Sequence, residues 1–215
     1  VIMNGVEPNV DKGFFYATGI PNGLFEGCIA IIEPRKTEVL SSPLEELSSR
    51  EAGVKTTVFD NDKHRTELLA RRLKGMSRIG INAHDLTVSN YRYIKNALKK
   101  SKLVDVTSDL ESARLIPQPD EISKIRKACA IATKAGKEIP EFVGEGRTET
   151  ASAAELNYRM MKLGATGPSF VTAVAFGGKS AEPHYMPMQR KLKKGQFALF
   201  DYGAEYGRYV SDITR

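Results

Sequence analysis

Two prolines spaced two apart, Pro117 and Pro119 in LIPQPDE, divide a 215-residue chain into a front part of alternating strand and helix signals and a rear part that opens with a long helix. A residue that precedes proline is held out of the helical region, so no helix runs through this segment until Asp120, the expected cap of a helix reaching Ala135. The chain therefore reads as two modest domains, residues 1–116 and 117–215, near the usual ~100–150 residues each.

The front part predicts an α/β domain. VIMNG opens it strand-like, and strands are expected over residues 13–18, 28–32 and 37–40. PLEELSSREAG follows with a helical pattern, Pro43 at its first position and Gly53 at its stop. A strand over 55–59 then leads to a helix capped by Asp62 that runs through Leu73 and ends at Gly75. Strand 78–82, a helix from a Ser89 cap through Lys100, and strand 103–106 complete a mixed sheet flanked by helices. His64 and His84 lie here without a second ligand at i+3 or i+4, so they read as surface or structural residues. Nothing in this half forms a catalytic spacing.

In the rear part, Ile122, Ile125, Ala128, Cys129 and Ala132 form the expected apolar stripe of the first helix. A second helix over about 150–163 carries Ala154, Leu156, Met160 and Met161 at core spacing. The last fifteen residues, DYGAEYGRYVSDITR, read as a β-hairpin with strands over 197–204 and 208–214 and a turn at Tyr206 and Gly207. That turn places Asp201 opposite Asp212, with Cβ atoms roughly 5 Å apart. Asp201 would share its strand face with Phe197 and Leu199. Two opposed carboxylates in such a setting repel each other, and a pair of divalent cations about 3.5–4 Å apart would relieve the repulsion. On the hairpin alone, the other reading is aspartates solvated on an open face with no metal. Thr214, on the face of Asp212, is the expected orienting partner of that carboxylate.

His184 ends the loop AFGGKSAEPHY, whose two glycines permit close backbone approach just before the hairpin. Taken alone it is either a surface residue or an imidazole that bonds a reacting carbonyl and moves a proton.

Together, SFVTAVAFGGKSAEPHY (169–185), KLKKGQFALFDYGA and YVSDITR resemble the catalytic domain of the Xaa-Pro peptidases, the pita-bread family of aminopeptidase P, prolidase and methionine aminopeptidase. FFYATGI (14–20) and SARLIPQPDEISKIRKA resemble the amino-terminal domain and junction helix of the prolidase and aminopeptidase P branch. The resemblance implies an α/β domain of creatinase/prolidase type over 1–116, followed by the first half of an α+β pita-bread catalytic domain over 117–215. It also implies that Asp201 is a ligand of one metal, that Asp212 bridges two, and that His184 contacts substrate. Two divalent ions are implied, Mn or Co foremost, with Zn or Fe as alternatives. One histidine and two glutamates complete the ligand set downstream of the second aspartate in such enzymes. With nothing after Arg215 and no leading helix before Val1, the chain reads as a piece trimmed at both ends and inactive by itself. Pro117 stands where lysine is usual and Lys179 where asparagine is usual. The implied activity is hydrolysis of the bond before proline in a proline-containing peptide, by a homodimer. The alternatives are a metal-free creatinase-like hydrolase and a catalytically dead binding module on the same fold.

Composition narrows the partners. The chain is 41% hydrophobic and 27% charged, and no apolar run approaches the ~20 residues of a membrane span. Of its net charge of +6, the basic clusters at 71–74, 99–102 and 190–194 lie at helix ends or just before a strand, where solvated termini explain them. Without interleaved aromatics, no nucleic-acid partner is expected. Cys28 and Cys129 fall in different domains, so no disulfide and a cytoplasmic location are expected, with both thiols as buried small apolar groups.

Overall fold

The computed structural model, which describes all of residues 1–215, passes from one unit to the other between Ile116 and Pro117. In chain order the first unit contains β1 (Ile2–Met3), α1 (Lys12–Thr18), β2 (Ile29–Glu33), β3 (Lys36–Ser41), α2 (Glu46–Glu51) and β4 (Lys55–Val58). It continues with α3 (Asp62–Arg72), β5 (Arg78–Ile81), α4 (Val88–Ala97), β6 (Lys102–Asp105) and α5 (Thr107–Arg114). Strands β1 to β4 form one sheet in sequence order, antiparallel except for the parallel β3–β4 pair, while β5 and β6 make a separate parallel pair. Their apolar residues share a core that includes Ile29, Leu40, Leu69, Ile79 and Ile94.

The segment over 13–18, expected as a strand, is instead helix α1. Asp11 accepts the Phe14 amide as its cap, and Gly19 ends it at φ 68°. The β preference of Phe14 and Phe15 yields to burial. A helical turn brings both rings against Phe25, with centroids 5.7 and 6.1 Å from it, and all three side chains are buried. Helix α5 has no fully buried residue and so left only a faint periodicity in the sequence. Two caps also move: Asn61 starts α3 and Thr87 starts α4, in place of Asp62 and Ser89.

Glu38 on β3 is buried, and its carboxylate is met by Arg72 at 3.0 Å, Thr57 at 2.9 Å and Lys55 at 3.1 Å. Burial alone would raise its pKa, but these hydrogen bonds outweigh it and hold the group below its ordinary 4.5. Such a carboxylate contributes stability above its unfolded pKa, and the contribution fades as pH falls through the folded value. Arg72→Ala is therefore expected to destabilise the first unit by roughly 2 kcal/mol at neutral pH, with the difference from wild type shrinking below about pH 4. Urea unfolding at a series of pH values measures it.

The second unit opens with α6 (Pro119–Lys137), α7 (Ile139–Phe142) and α8 (Glu149–Lys162). Six short strands follow: β7 (Gly167–Pro168), β8 (Ala173–Phe176), β9 (Ala198–Tyr202), β10 (Ala204–Tyr206), β11 (Tyr209–Val210) and β12 (Ile213–Thr214). They form two three-stranded sheets, ordered β12-β9-β8 and β11-β10-β7. Gln118, not Asp120, caps α6, and Glu121 bonds back to the Gln118 amide at 2.8 Å. The buried stripe of α6 is Glu121, Ala128, Ile131, Ala132 and Ala135. Cys129 is exposed, because a residue one step beyond Ala128 turns about 100° off that face. Likewise Met160 is buried and Met161 is exposed. Gly136 lets β9 approach closely: a Cβ there would lie 1.8 Å from the hydroxyl of Tyr202, which is wholly buried. Helix and strand are thus keyed together just behind Asp201.

Candidate functional site

The hairpin forms with a register two residues away from the expected one. Gly207 and Arg208 make the turn, at φ 56° and 72°, and Tyr206 pairs with Tyr209. Both central residues at positive φ is what a type I′ turn requires. The reason lies in the tyrosines. Tyr206 packs against the core of the second unit, and Tyr209 donates to Glu121 of α6 at 2.7 Å, with Lys124 5.3 Å over its ring. A turn at Tyr206 and Gly207 would give up both contacts.

Asp201 consequently pairs with Thr214 rather than Asp212. Thr214 donates to Asp201 Oδ1 at 2.6 Å, so its partner is Asp201 and not Asp212 as expected. Asp212 comes opposite Gly203, a diagonal neighbour of Asp201, which in a regular ladder means about 7–8 Å rather than 5. Because the shift is even, strand parity still assigns the two carboxylates to one face. That face is open: Asp201 is half-buried, Asp212 and Thr214 are exposed, and Phe197 and Val210 are 85% and 52% exposed. On the other side Phe200, Tyr202 and Ala204 are buried in the core. Burial pushes the Tyr202 phenol above its usual range, with Arg215 opposing.

The ladder is distorted where Asp212 sits. Ser211 donates its amide to Ala204 O at 3.0 Å, but the return bond runs from the Ala204 amide to the Ser211 hydroxyl, which itself donates to Ala128 O at 3.2 Å. The Ser211 carbonyl accepts from Ser169 Oγ at 2.8 Å and presses against Gly203, where a Cβ would lie 1.8 Å from it. Only glycine fits there.

On the other flank of Asp201, β8 supplies Ala173 as its partner, and the chain leaves β8 at Phe176 for the loop that carries His184. His184 is exposed and holds φ 58°, a left-handed conformation uncommon outside glycine. Tyr185 beside it donates to Glu149 Oε2 at 2.9 Å. Among all residues no group of three His, Cys, Asp or Glu side chains gathers closely enough to hold a metal ion. Asp201 and Asp212 thus suit divalent cations in kind, as hard oxygen donors on an accessible face, and in number supply only part of a coordination sphere. His64 and His84 take no part: His64 Nδ1 lies 2.9 Å from Asp60, and the His84 amide donates to Thr107.

Residues 9–116 match the creatinase/prolidase N-terminal domain, and residues 123–215 match metallopeptidase family M24. A Xaa-Pro dipeptidase of Pyrococcus furiosus is 39% identical over 128 residues, 60% of this chain and 36% of that protein. A putative dipeptidase of Bacillus subtilis is 30% identical over 213 residues, 95% of this chain and 58% of its own length. Among solved structures, the prolidase of Pyrococcus furiosus superposes over 100% of this chain and 64% of its own, with a TM-score of 0.84 and 29% identity. The X-Pro aminopeptidase of Thermotoga maritima covers 100% and 61%, with a TM-score of 0.88 at 24% identity, which speaks for the fold. The chain spans about a third to three-fifths of the length of these relatives.

Proposed function

The chain belongs to the creatinase/prolidase family, with an amino-terminal domain of that type followed by part of an M24 metallopeptidase domain, and from this we propose that the full-length protein hydrolyses the peptide bond before proline. Its substrates are proline-containing peptides, in keeping with the dipeptidase relatives. What supports this reading is the pairing of Asp201 with Thr214, from which strand parity assigns Asp201 and the exposed Asp212 to one side of the hairpin. Two divalent ions, Mn or Co foremost, would supply an acidified water and polarise the scissile carbonyl. Asp201 and Asp212 would hold them as hard oxygen donors that leave the rest of each coordination sphere to other ligands. Thr214, by donating to Asp201 Oδ1, limits rotation of the carboxylate. His184 donates a hydrogen bond to the carbonyl oxygen as negative charge develops there.

Residues 1–215 by themselves are expected to bind Mn or Co weakly and to turn over no Xaa-Pro dipeptide, since two carboxylates leave most coordination positions to water. Calorimetric titration with either metal, beside a dipeptide assay, tests this. Micromolar affinity with turnover would mean that ligands exist here which the hairpin reading does not include.

The first domain lacks catalytic chemistry and instead joins two subunits, so the full-length protein is a homodimer. Light scattering at micromolar concentration decides, and a monomer there refutes the assignment. Both cysteines are free, which suits a cytoplasmic setting.

A further inference from the structure

Glu149, the first residue of α8, is wholly buried. Burying a carboxylate costs several kcal/mol unless donors meet it. Three do. Oε1 accepts the Phe176 amide at 2.9 Å, while Oε2 accepts the Tyr185 hydroxyl at 2.9 Å and the Met188 amide at 3.1 Å. Arg190 Nε stands 3.8 Å from Oε1. The helix does not need this carboxylate to begin, because Thr148 already caps it by accepting the Ala151 amide.

What the three donors share is the loop over 176–188. Phe176 is its root, the last residue of β8; Met188 is its return; Tyr185 is the residue after His184. Backbone bonds from Glu149 N to Arg190 O and from Thr150 N to Met188 O hold the returning chain to the same helix end. A loop closed at both ends and tethered beside His184 leaves that residue little freedom, and its left-handed φ of 58° has to be held by its surroundings. Since β8 also pairs with the strand of Asp201, the clasp refers His184 to the sheet that carries the carboxylates.

We propose that Glu149, acting through Tyr185 and the Met188 amide, is a positioning residue that fixes His184 relative to the Asp201 sheet. The proposal rests on the reading of His184 as a substrate-contacting group. Glu149→Gln replaces one carboxylate oxygen by an NH2 group that cannot accept and leaves a single acceptor oxygen, and Tyr185→Phe removes one donor without a change of shape. In Glu149→Gln, the Phe176 or the Met188 amide, whichever comes to face the NH2 group, is expected to exchange roughly tenfold faster or more, and the His184 ring signal, identified among three histidines by its loss in His184→Gln, to sharpen as the loop loosens. The α8 amides beyond its first turn and the His64 and His84 signals should stay as in wild type. Should Glu149→Gln fail to fold, Tyr185→Phe gives the same His184 readout with less disturbance. In the full-length enzyme Tyr185→Phe is expected to lower kcat several-fold with KM unchanged. Unchanged exchange at both amides and an unchanged His184 signal in the two variants overturn the proposal, as does a fall in kcat matched by an equal rise in KM. If His184→Ala itself left kcat intact, the catalytic reading would fall, while the exchange data would still decide whether Glu149 holds the loop.

Discussion

Replacing His184 by alanine in the full-length enzyme is expected to lower kcat by about 10²–10³-fold with bound metal unchanged. The magnitude is that of one hydrogen-bond donor aimed at a developing oxyanion, about 2.7–4 kcal/mol. KM should change little, because the bond strengthens only as charge develops on the carbonyl. Steady-state kinetics together with metal analysis of the purified variant separate the possible roles. Loss of metal would make His184 a ligand, and a kcat within threefold of wild type would remove it from the chemistry.

Gly203→Ala is expected to destabilise the second unit by roughly 3 kcal/mol or more, at or above the upper end of ordinary overpacking. The new methyl would meet the Ser211 carbonyl oxygen at 1.8 Å and Ser169 Oγ at 2.1 Å. Neither is free to retreat. The carbonyl belongs to the paired backbone and is bonded to Ser169, while the Ser211 hydroxyl ties the same residue to Ala128 of α6. The strands must separate, and Asp212, next in sequence to Ser211, moves with them. For a unit of this size the loss corresponds to a fall in Tm of roughly 10–20 °C. Calorimetry of Gly203→Ala against Gly144→Ala, whose Cβ would meet nothing within 4 Å, provides the comparison. A Tm within 2 °C of wild type would show that the hairpin opens here at no cost.

The sequence carried the division at Pro117, the strands β2 to β6 and the helices α3, α4, α6 and α8 in signals that tertiary packing left alone: caps, glycine stops and proline punctuation. Helix α1 was illegible because its aromatic content favours a strand locally, and only the distant ring of Phe25 reverses that preference. Helix α5 buries nothing fully, so only a faint periodicity marked it. In the hairpin, the shared face of Asp201 and Asp212 was readable because strand parity survives an even shift, whereas the pairing partner was not. Choosing Gly207 and Arg208 over Tyr206 and Gly207 depends on what Tyr206 and Tyr209 touch elsewhere, which no local pattern contains. Glu149 was hidden for a similar reason: an acidic residue in the first turn of a helix reads as a dipole partner, and its three donors lie 27 to 39 residues downstream.

The contact between Gly136 and Tyr202 also gives the second unit an optical signature. The chain has no tryptophan and 8 tyrosines, so near-ultraviolet circular dichroism is free of indole bands. Tyr202 is the one tyrosine that is fully buried, locked between β9 and α6. An immobilised aromatic ring in an asymmetric packing environment is what gives this signal its strength, and it vanishes when packing loosens while helices persist. The tyrosine band should therefore follow the seating of the strand that carries Asp201, residue by residue next to the carboxylate, during titration with metal or denaturant and without any added label.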